Sequence, residues 1–211
     1  KFCKKYKKKV LIKISSSEID NLNLIKDAIK NFKKVFINIS GCNNNYIARF
    51  TKQLKKYQNK VILLYGFQSF PSKIKDVRFN LIQNLCKKKF ITGYSDHSNS
   101  DQIFESYVAS ALAINKGSQY IEKHVTLNRG SMPPDFSSSF EIKDYQNYIN
   151  YFKKIFMINN NINQSLDEMN YGKEMHKFAV LNKNVKKGKK INYSDLKFLR
   201  INEQGFSRIN L

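Results

Sequence analysis

Five short runs dense in Val, Ile, Leu, Phe and Tyr recur along the chain, at residues 10–14, 35–39, 61–65, 90–94 and 120–125. Most are almost continuously apolar, the last also holding Glu122, Lys123 and His124, and each is followed by polar, Gly or Ser residues. Strands with one wet face alternate apolar and polar side chains, so continuous runs of this length predict strands covered on both faces, as in a parallel sheet. Between them the apolar residues fall at helical spacing: Leu22, Ile25, Ala28 and Ile29; Ile47, Phe50 and Leu54; Val77, Leu81, Ile82 and Leu85. The clearest such segment is 101–115. It should present Ile103, Phe104, Tyr107, Val108, Ala111, Leu112 and Ile114 on one broad face and stop at Gly117. Strand and helix alternate, which predicts an α/β protein with a parallel sheet, either doubly wound or a barrel.

Residues 145–156 continue as one more amphipathic helix. The Asn-rich stretch that follows marks a polar connector, placed at 158–175. Beyond it, 178–181, a turn at Lys186, Lys187 and Gly188, and 196–199 read as the start of a small β-rich module, with too few residues to close a core of its own. The organisation is therefore 1–157, a linker, and 176–211.

At 211 residues with 41% apolar content, a sizeable core is available. No apolar stretch reaches the length of about 18 residues needed for a membrane span, and no charged-then-apolar leader is present, so the chain is expected to be cytoplasmic and without a membrane partner. Cys3, Cys42 and Cys86 are scattered and odd in number, which argues against a disulfide framework and a thiolate metal site. The net charge of +22 comes almost wholly from Lys spread along the chain. Nucleic-acid surfaces favour clustered Arg with interleaved aromatics, so this excess reads as a solvated compositional trait and no nucleic-acid partner is expected. Runs such as Lys7 to Lys9 and Lys87 to Lys89 would be solvated helix ends or loops.

In parallel α/β folds, ligands sit just past the carboxyl ends of the strands. At those places the chain carries Lys13 and Glu18, then Gln68 and Ser69, then Ser95, Asp96 and His97, then Glu122, Lys123 and His124. One His at a strand end is commonly a hydrogen-bonded structural residue. Two at the ends of neighbouring strands, about 4.8 Å apart, can reach one ion. Asp96 and Glu122 flank them as orienting partners or further ligands, or serve only the local loops, as Lys123 could. Nitrogen and oxygen donors without thiolate favour Mn²⁺ or Mg²⁺, with Zn²⁺ also open.

The series Gly93, Tyr94, Ser95, Asp96, His97, then Ile121 to Leu127 (IEKHVTL), then Pro134, Asp135 and Ser139, resembles the ordered motifs of sialic acid synthases. Lys13 to Ser16 with Glu18, and Phe70, Pro71, Ser72 with Asp76, are similar to earlier family segments. Asn184 to Gly188, Arg200, Gly205 and Phe206 resemble the family's antifreeze-like (SAF) domain. The resemblance implies a partial (β/α)8 TIM barrel, strands four to eight, followed by the start of that domain, with the first three strands lying before Lys1. It implies condensation of phosphoenolpyruvate with N-acetylmannosamine or a related acetamido sugar. In that reading His97 and His124 bind a divalent metal, Mn²⁺ or Mg²⁺. Lys13 and Ser95 contact phosphoenolpyruvate, Glu18, Glu122 and Asp135 face the sugar, and Gln68 contacts sugar or phosphate. Lys13 and Glu122 are the catalytic candidates. Arg200 would extend from the antifreeze-like domain of one subunit of a homodimer into the other. Phe70, Gln68 and Phe136 depart from the family's usual Tyr, Asn and His, which leaves the sugar open among N-acetylmannosamine and the precursors of legionaminic, pseudaminic or other nonulosonic acids. A non-catalytic fragment is the remaining alternative, and 211 residues alone are expected to be inactive and poorly soluble.

Overall fold

The computed structural model describes residues 10–159, 163–201 and 205–207; Cys3 and the lysines at 7–9 lie outside them. The chain divides into two compact units, Lys1–Asn160 and Asn161–Leu211. In the first, strand and helix alternate as β1 (Ile12–Ile14), α1 (Leu22–Asn31), β2 (Val35–Asn38), α2 (Asn44–Leu54), β3 (Val61–Tyr65), α3 (Phe79–Lys87), β4 (Ile91–Asp96), α4 (Ile103–Asn115), β5 (Tyr120–Thr126), β6 (Ser139–Glu141) and α5 (Ile142–Asn159). The six strands form one sheet in chain order, and every neighbouring pair is parallel.

Residues alternate between the two faces of each strand. Ile14, Val35, Ile37, Ile39, Val61, Leu63, Tyr65 and Tyr94 point one way, into a buried cluster with Ile25 and Ile29 of α1, Ile47 and Phe50 of α2, and Ile82 and Leu85 of α3. Burying each such side chain contributes about 1.5–3 kcal/mol, so this layer fixes which strand residues are left for the other face. That second face is also dry at its centre: all five residues of β3 are buried, as expected of a strand covered on both sides.

The sheet is curled. In a flat sheet four inter-strand steps would separate β1 from β5 by roughly 19 Å, yet Lys13 on β1 donates to Glu122 on β5 at 2.7 Å. Phe36 of β2 and Tyr120 of β5 meet edge to face with centroids 5.1 Å apart. Six parallel strands wound this way form a half-barrel of TIM-barrel type, and its concave face is the one that carries Lys13, Phe36, Ser95 and Glu122.

The predicted strands and helices recur with small shifts at their ends. Asn21 and Asn43 accept from the backbone N–H groups of Leu24 and Tyr46 and start α1 and α2. Gly117 ends α4 at φ 102°, with Ser118 N–H donating to Ala113 O and Gly117 N–H to Ile114 O, the paired bonds of a left-handed helix stop. Two expectations fail. The buried face of α4 is Ser106, Ala109, Ser110, Ala113 and Ile114, whereas Phe104 is 78% exposed and Ile103 and Leu112 are also open. Small residues let this helix approach the sheet closely, and the large ones turn outward. A sixth strand, β6, was not foreseen, because Ser-Phe-Glu holds one apolar residue and is recognisable only through its pairing with β5. The stretch expected to be a linker carries a helix, α6 (Leu166–Met175), whose Ser165 side chain accepts from Glu168 N–H.

The second unit also holds an antiparallel pair, β7 (Phe178–Leu181) and β8 (Leu196–Leu199). A capping box between Asn192 and Asp195 precedes β8. The Lys183 ammonium and the Asn192 N–H hold the Asp195 carboxyl down to about 2. Cys42 and Cys86 are free thiols. Among the described residues no helix is long and apolar enough to cross a membrane.

Candidate active site

The mouth of the half-barrel is built by strand register. Ser95 on β4 lies opposite Glu122 on β5. Two residues further along each strand, on the same face, come His97 and His124. Gly66, just after β3, lets the neighbouring backbone come close: a Cβ there would lie 1.9 Å from Ser95 O, so any larger residue would push β4 and Ser95 out of place.

Glu122 is the centre of a polar knot. Lys13 Nζ donates to both of its carboxylate oxygens at 2.7 Å, and Ser95 Oγ donates to Oε1 at 2.6 Å. Burial pushes the Glu122 carboxyl upward, but the hydrogen bonds from Lys13 and Ser95 and the charge of Lys13 outweigh it, so the net shift is downward. At neutral pH the group is an ionised carboxylate.

Beside it, His124 Nε2 and His97 Nε2 face each other at 3.2 Å. The imidazole Nδ1 of His97 lies 3.2 Å from Ser95 O, where it can only donate, which leaves Nε2 with a bare lone pair. On the far side of the other ring, His124 Nδ1 lies 3.9 Å from Asp135 Oδ2, a carboxylate that favours the same tautomer. Two bare ring nitrogens aimed at one another repel unless a proton or a cation lies between them. Two nitrogens on a cation at about 2.1 Å and at right angles stand about 3 Å apart, so the pair fits two neighbouring positions on one divalent ion. Burial holds the His97 imidazolium form down, with the neighbouring His124 adding to it and the Ser95 carbonyl opposing; an unprotonated His97 is the ligand form. Among the described residues no group of three or more His, Cys, Asp and Glu side chains is placed to hold an ion, so the remaining positions would fall to water, substrate or residues outside this set.

The other candidates are distributed around this centre. Gln68 Oε1 accepts from Ser16 Oγ at 3.1 Å, joining the loops after β3 and β1. Glu18 is engaged locally, accepting from Asn21 Nδ2 at 3.0 Å. Asp135 approaches His124 from a backbone with φ 62°. Arg200 belongs to the second unit, where it lines a cavity with Lys173, His176 and Phe178. The expectation that Asp96 flanks the imidazoles as a partner is corrected: it points to the helix side of the sheet, into an ion pair with Lys123.

One residue matters more than its sequence signal implied. Phe70, part of a family-like segment but a departure from its usual Tyr, sets its ring edge to face against both imidazoles, with centroids 5.2 Å and 6.2 Å away, and is itself 51% exposed. Its position after β3 was the available signal.

The chain has recognisable relatives among known proteins. A family model described as the NeuB family matches residues 1–164. The chain is similar to N,N'-diacetyllegionaminic acid synthase of Campylobacter jejuni, 32% identical over 136 residues, which is 62% of this chain and 39% of that protein. It is 22% identical over 197 residues to the protein of the same name from Legionella pneumophila, covering 90% of this chain and 54% of that one. Among solved structures, N-acetylneuraminic acid synthetase of Leptospira borgpetersenii in complex with citrate superposes with TM-score 0.64 and 26% identity, over 78% of this chain and 58% of that one. The chain thus spans about half the length of the proteins it matches.

Proposed function

The chain belongs to the NeuB family, and from that premise we propose that the protein containing it condenses phosphoenolpyruvate with an acetamido sugar to give a nonulosonic acid and phosphate. The observation that carries this reading is the joining of Lys13, Ser95 and Glu122 in one polar knot beside two converging Nε2 atoms.

Lys13 and Ser95 are a cation and a directed hydroxyl donor of the kind that receives a phosphate or carboxylate. Both donate to the Glu122 carboxylate, an anion of the kind a substrate would bring. Arrival of phosphoenolpyruvate transfers Lys13 and Ser95 to the substrate and releases Glu122. His97 and His124 would hold a divalent cation, Mn²⁺ or Mg²⁺, which supplies Lewis-acid polarisation of a carbonyl oxygen. C3 of phosphoenolpyruvate attacks the aldehyde carbon of the open-chain sugar and C2 becomes electron-poor. Water adds at C2, one proton passing to the ionised Glu122 and one proton being taken up by the former aldehyde oxygen as it becomes a hydroxyl; phosphate departs by C–O cleavage, carrying the second water proton as the C2 ketone forms. Asp135, Gln68 and Glu18 sit around the mouth as sugar contacts, and Phe70 supplies an apolar wall.

The acceptor is N-acetylmannosamine or the corresponding precursor of a legionaminic or pseudaminic acid. The names of the two relatives favour the precursor of N,N'-diacetyllegionaminic acid. Phe70, lacking a hydroxyl, suits an acceptor with fewer polar groups on that side. The test is to incubate the protein, expressed from its complete coding sequence, with phosphoenolpyruvate and each acceptor in turn, following phosphate release and the acid product by mass spectrometry. Turnover with one acceptor, lost in His97→Ala and His124→Ala, is expected. Phosphate release that survives both substitutions would sink the assignment.

A further inference from the structure

Next to the catalytic candidates, on the opposite face of the same two strands, lies a pair of charges that the mechanism leaves unused. Lys123 and Asp96 side chains are both 0% exposed, with Nζ 3.0 Å from Oδ2. Lys123 also donates to Ser98 O at 3.2 Å and to Ser106 Oγ at 3.0 Å, and its ammonium stands 4.5 Å from the centroid of the Phe140 ring. Asp96 Oδ1 accepts from Ser98 N–H at 3.0 Å. Although Lys123 is close to Oδ2, the contact is not aligned as a hydrogen bond, and among the described residues that oxygen has no other partner. One ammonium therefore gathers β4, β5, β6, the loop after β4 and α4.

Taking two charges wholly out of water is costly, and apolar residues of the same size commonly do as well for stability. What an ion pair supplies and an apolar pair does not is a fixed register. Lys123 immediately precedes His124 and Asp96 immediately precedes His97. Because successive side chains point to opposite faces, a slip of one residue in either strand would turn that strand's imidazole away from the mouth and part the pair. Ser98, the residue after His97, is held by the same two side chains.

We infer that Asp96 and Lys123 are positioning residues, whose buried contact locks β4 against β5 in the one register that brings His97 Nε2 and His124 Nε2 face to face. The functional consequence rests on the reading of the two histidines as metal ligands; the geometric claim does not.

The test replaces both charges at once, Asp96→Leu with Lys123→Met, in the protein expressed from its complete coding sequence, so that no unpaired charge is left buried. Circular dichroism and thermal melting establish that the variant folds. In metal-free, histidine-labelled protein, long-range ¹H–¹⁵N spectra read the tautomers. The wild type should show His97 protonated at Nδ1 alone, and the variant a drift of both rings toward the solution mixture. Titration with Mn²⁺ followed by electron paramagnetic resonance should show affinity weakened roughly 10- to 100-fold, the range for residues that orient metal ligands. A folded variant with wild-type imidazole signals and unchanged Mn²⁺ affinity overturns the inference. If the wild type itself binds no Mn²⁺, the metal reading fails and the imidazole spectra decide the positioning claim alone. If the double variant does not fold, Ser106→Ala, which withdraws one anchor of the ammonium and keeps both charges, is put through the same spectra. Displaced His97 and His124 signals support the inference and unchanged ones overturn it.

Discussion

Glu122 and Lys123 are neighbours on β5, and each makes a lysine–carboxylate pair, but on opposite faces of the sheet. On the concave face, the Lys13 and Glu122 side chains are 42% and 33% exposed; on the helix face, Lys123 and Asp96 are fully enclosed. Both pairs are close to hydrogen-bond length, so distance does not separate them. Access to water does. An open pair can exchange its partner for a substrate anion at little cost, whereas a closed pair cannot change partners without unfolding its surroundings. On the function proposed above, the same chemistry would serve binding on one face and construction on the other, one residue apart.

The contrast is sharpest in stability. Lys123→Met leaves Asp96 as an uncompensated charge in a dry interior, and we expect a loss of roughly 3–5 kcal/mol, read as a fall in the urea midpoint. Lys13→Met on the open face should shift the same midpoint by no more than about 1 kcal/mol. If the two substitutions cost the same, the distinction between the faces is broken.

In substrate binding the open pair should dominate. Removing the Lys13 charge withdraws a charge-assisted hydrogen bond worth about 1.5–3 kcal/mol, so the KM for phosphoenolpyruvate should rise roughly ten- to a hundredfold while the KM for the sugar stays within a few-fold. Steady-state kinetics with each substrate varied in turn checks this. An equal rise for both substrates would mean that Lys13 supports the mouth as a whole and does not receive the anion.

Much of this contrast was legible in the sequence on one face only. Short runs rich in apolar residues announced the five main strands, and the order of Lys13, Ser95, His97, Glu122 and His124 at their ends placed one candidate site at one mouth. The helix face was harder to read. Asp96 and Lys123 flank the two histidines in sequence, and only strand alternation, applied residue by residue, sends them to the other side. The α4 surface was misjudged for a related reason. Apolar periodicity finds the largest side chains, Phe104 and Leu112 among them, but contact with the sheet selected small ones, Ser106, Ala109 and Ala113. β6 depends on a partner strand for its existence, and nothing in Ser-Phe-Glu alone carries that information.

The smallest expected effect concerns pH. Glu122 is held below the ordinary glutamate value by Lys13 and Ser95 against the opposing push of burial. A carboxyl with a depressed folded pKa stabilises the fold fully above its unfolded value, about 4.3, and loses that contribution as pH falls through the folded value. Glu122→Gln keeps an oxygen for Lys13 and Ser95 but removes the titration. The stability gap between wild type and variant, from urea midpoints, should therefore stay level from pH 7 to about 5 and narrow on further acidification. A gap that is constant down to pH 3 would place the downward shift elsewhere. Glu122 would then be no more than a spectator to the Lys13 ammonium, and the open face would lose the partner exchange that distinguishes it from the closed one.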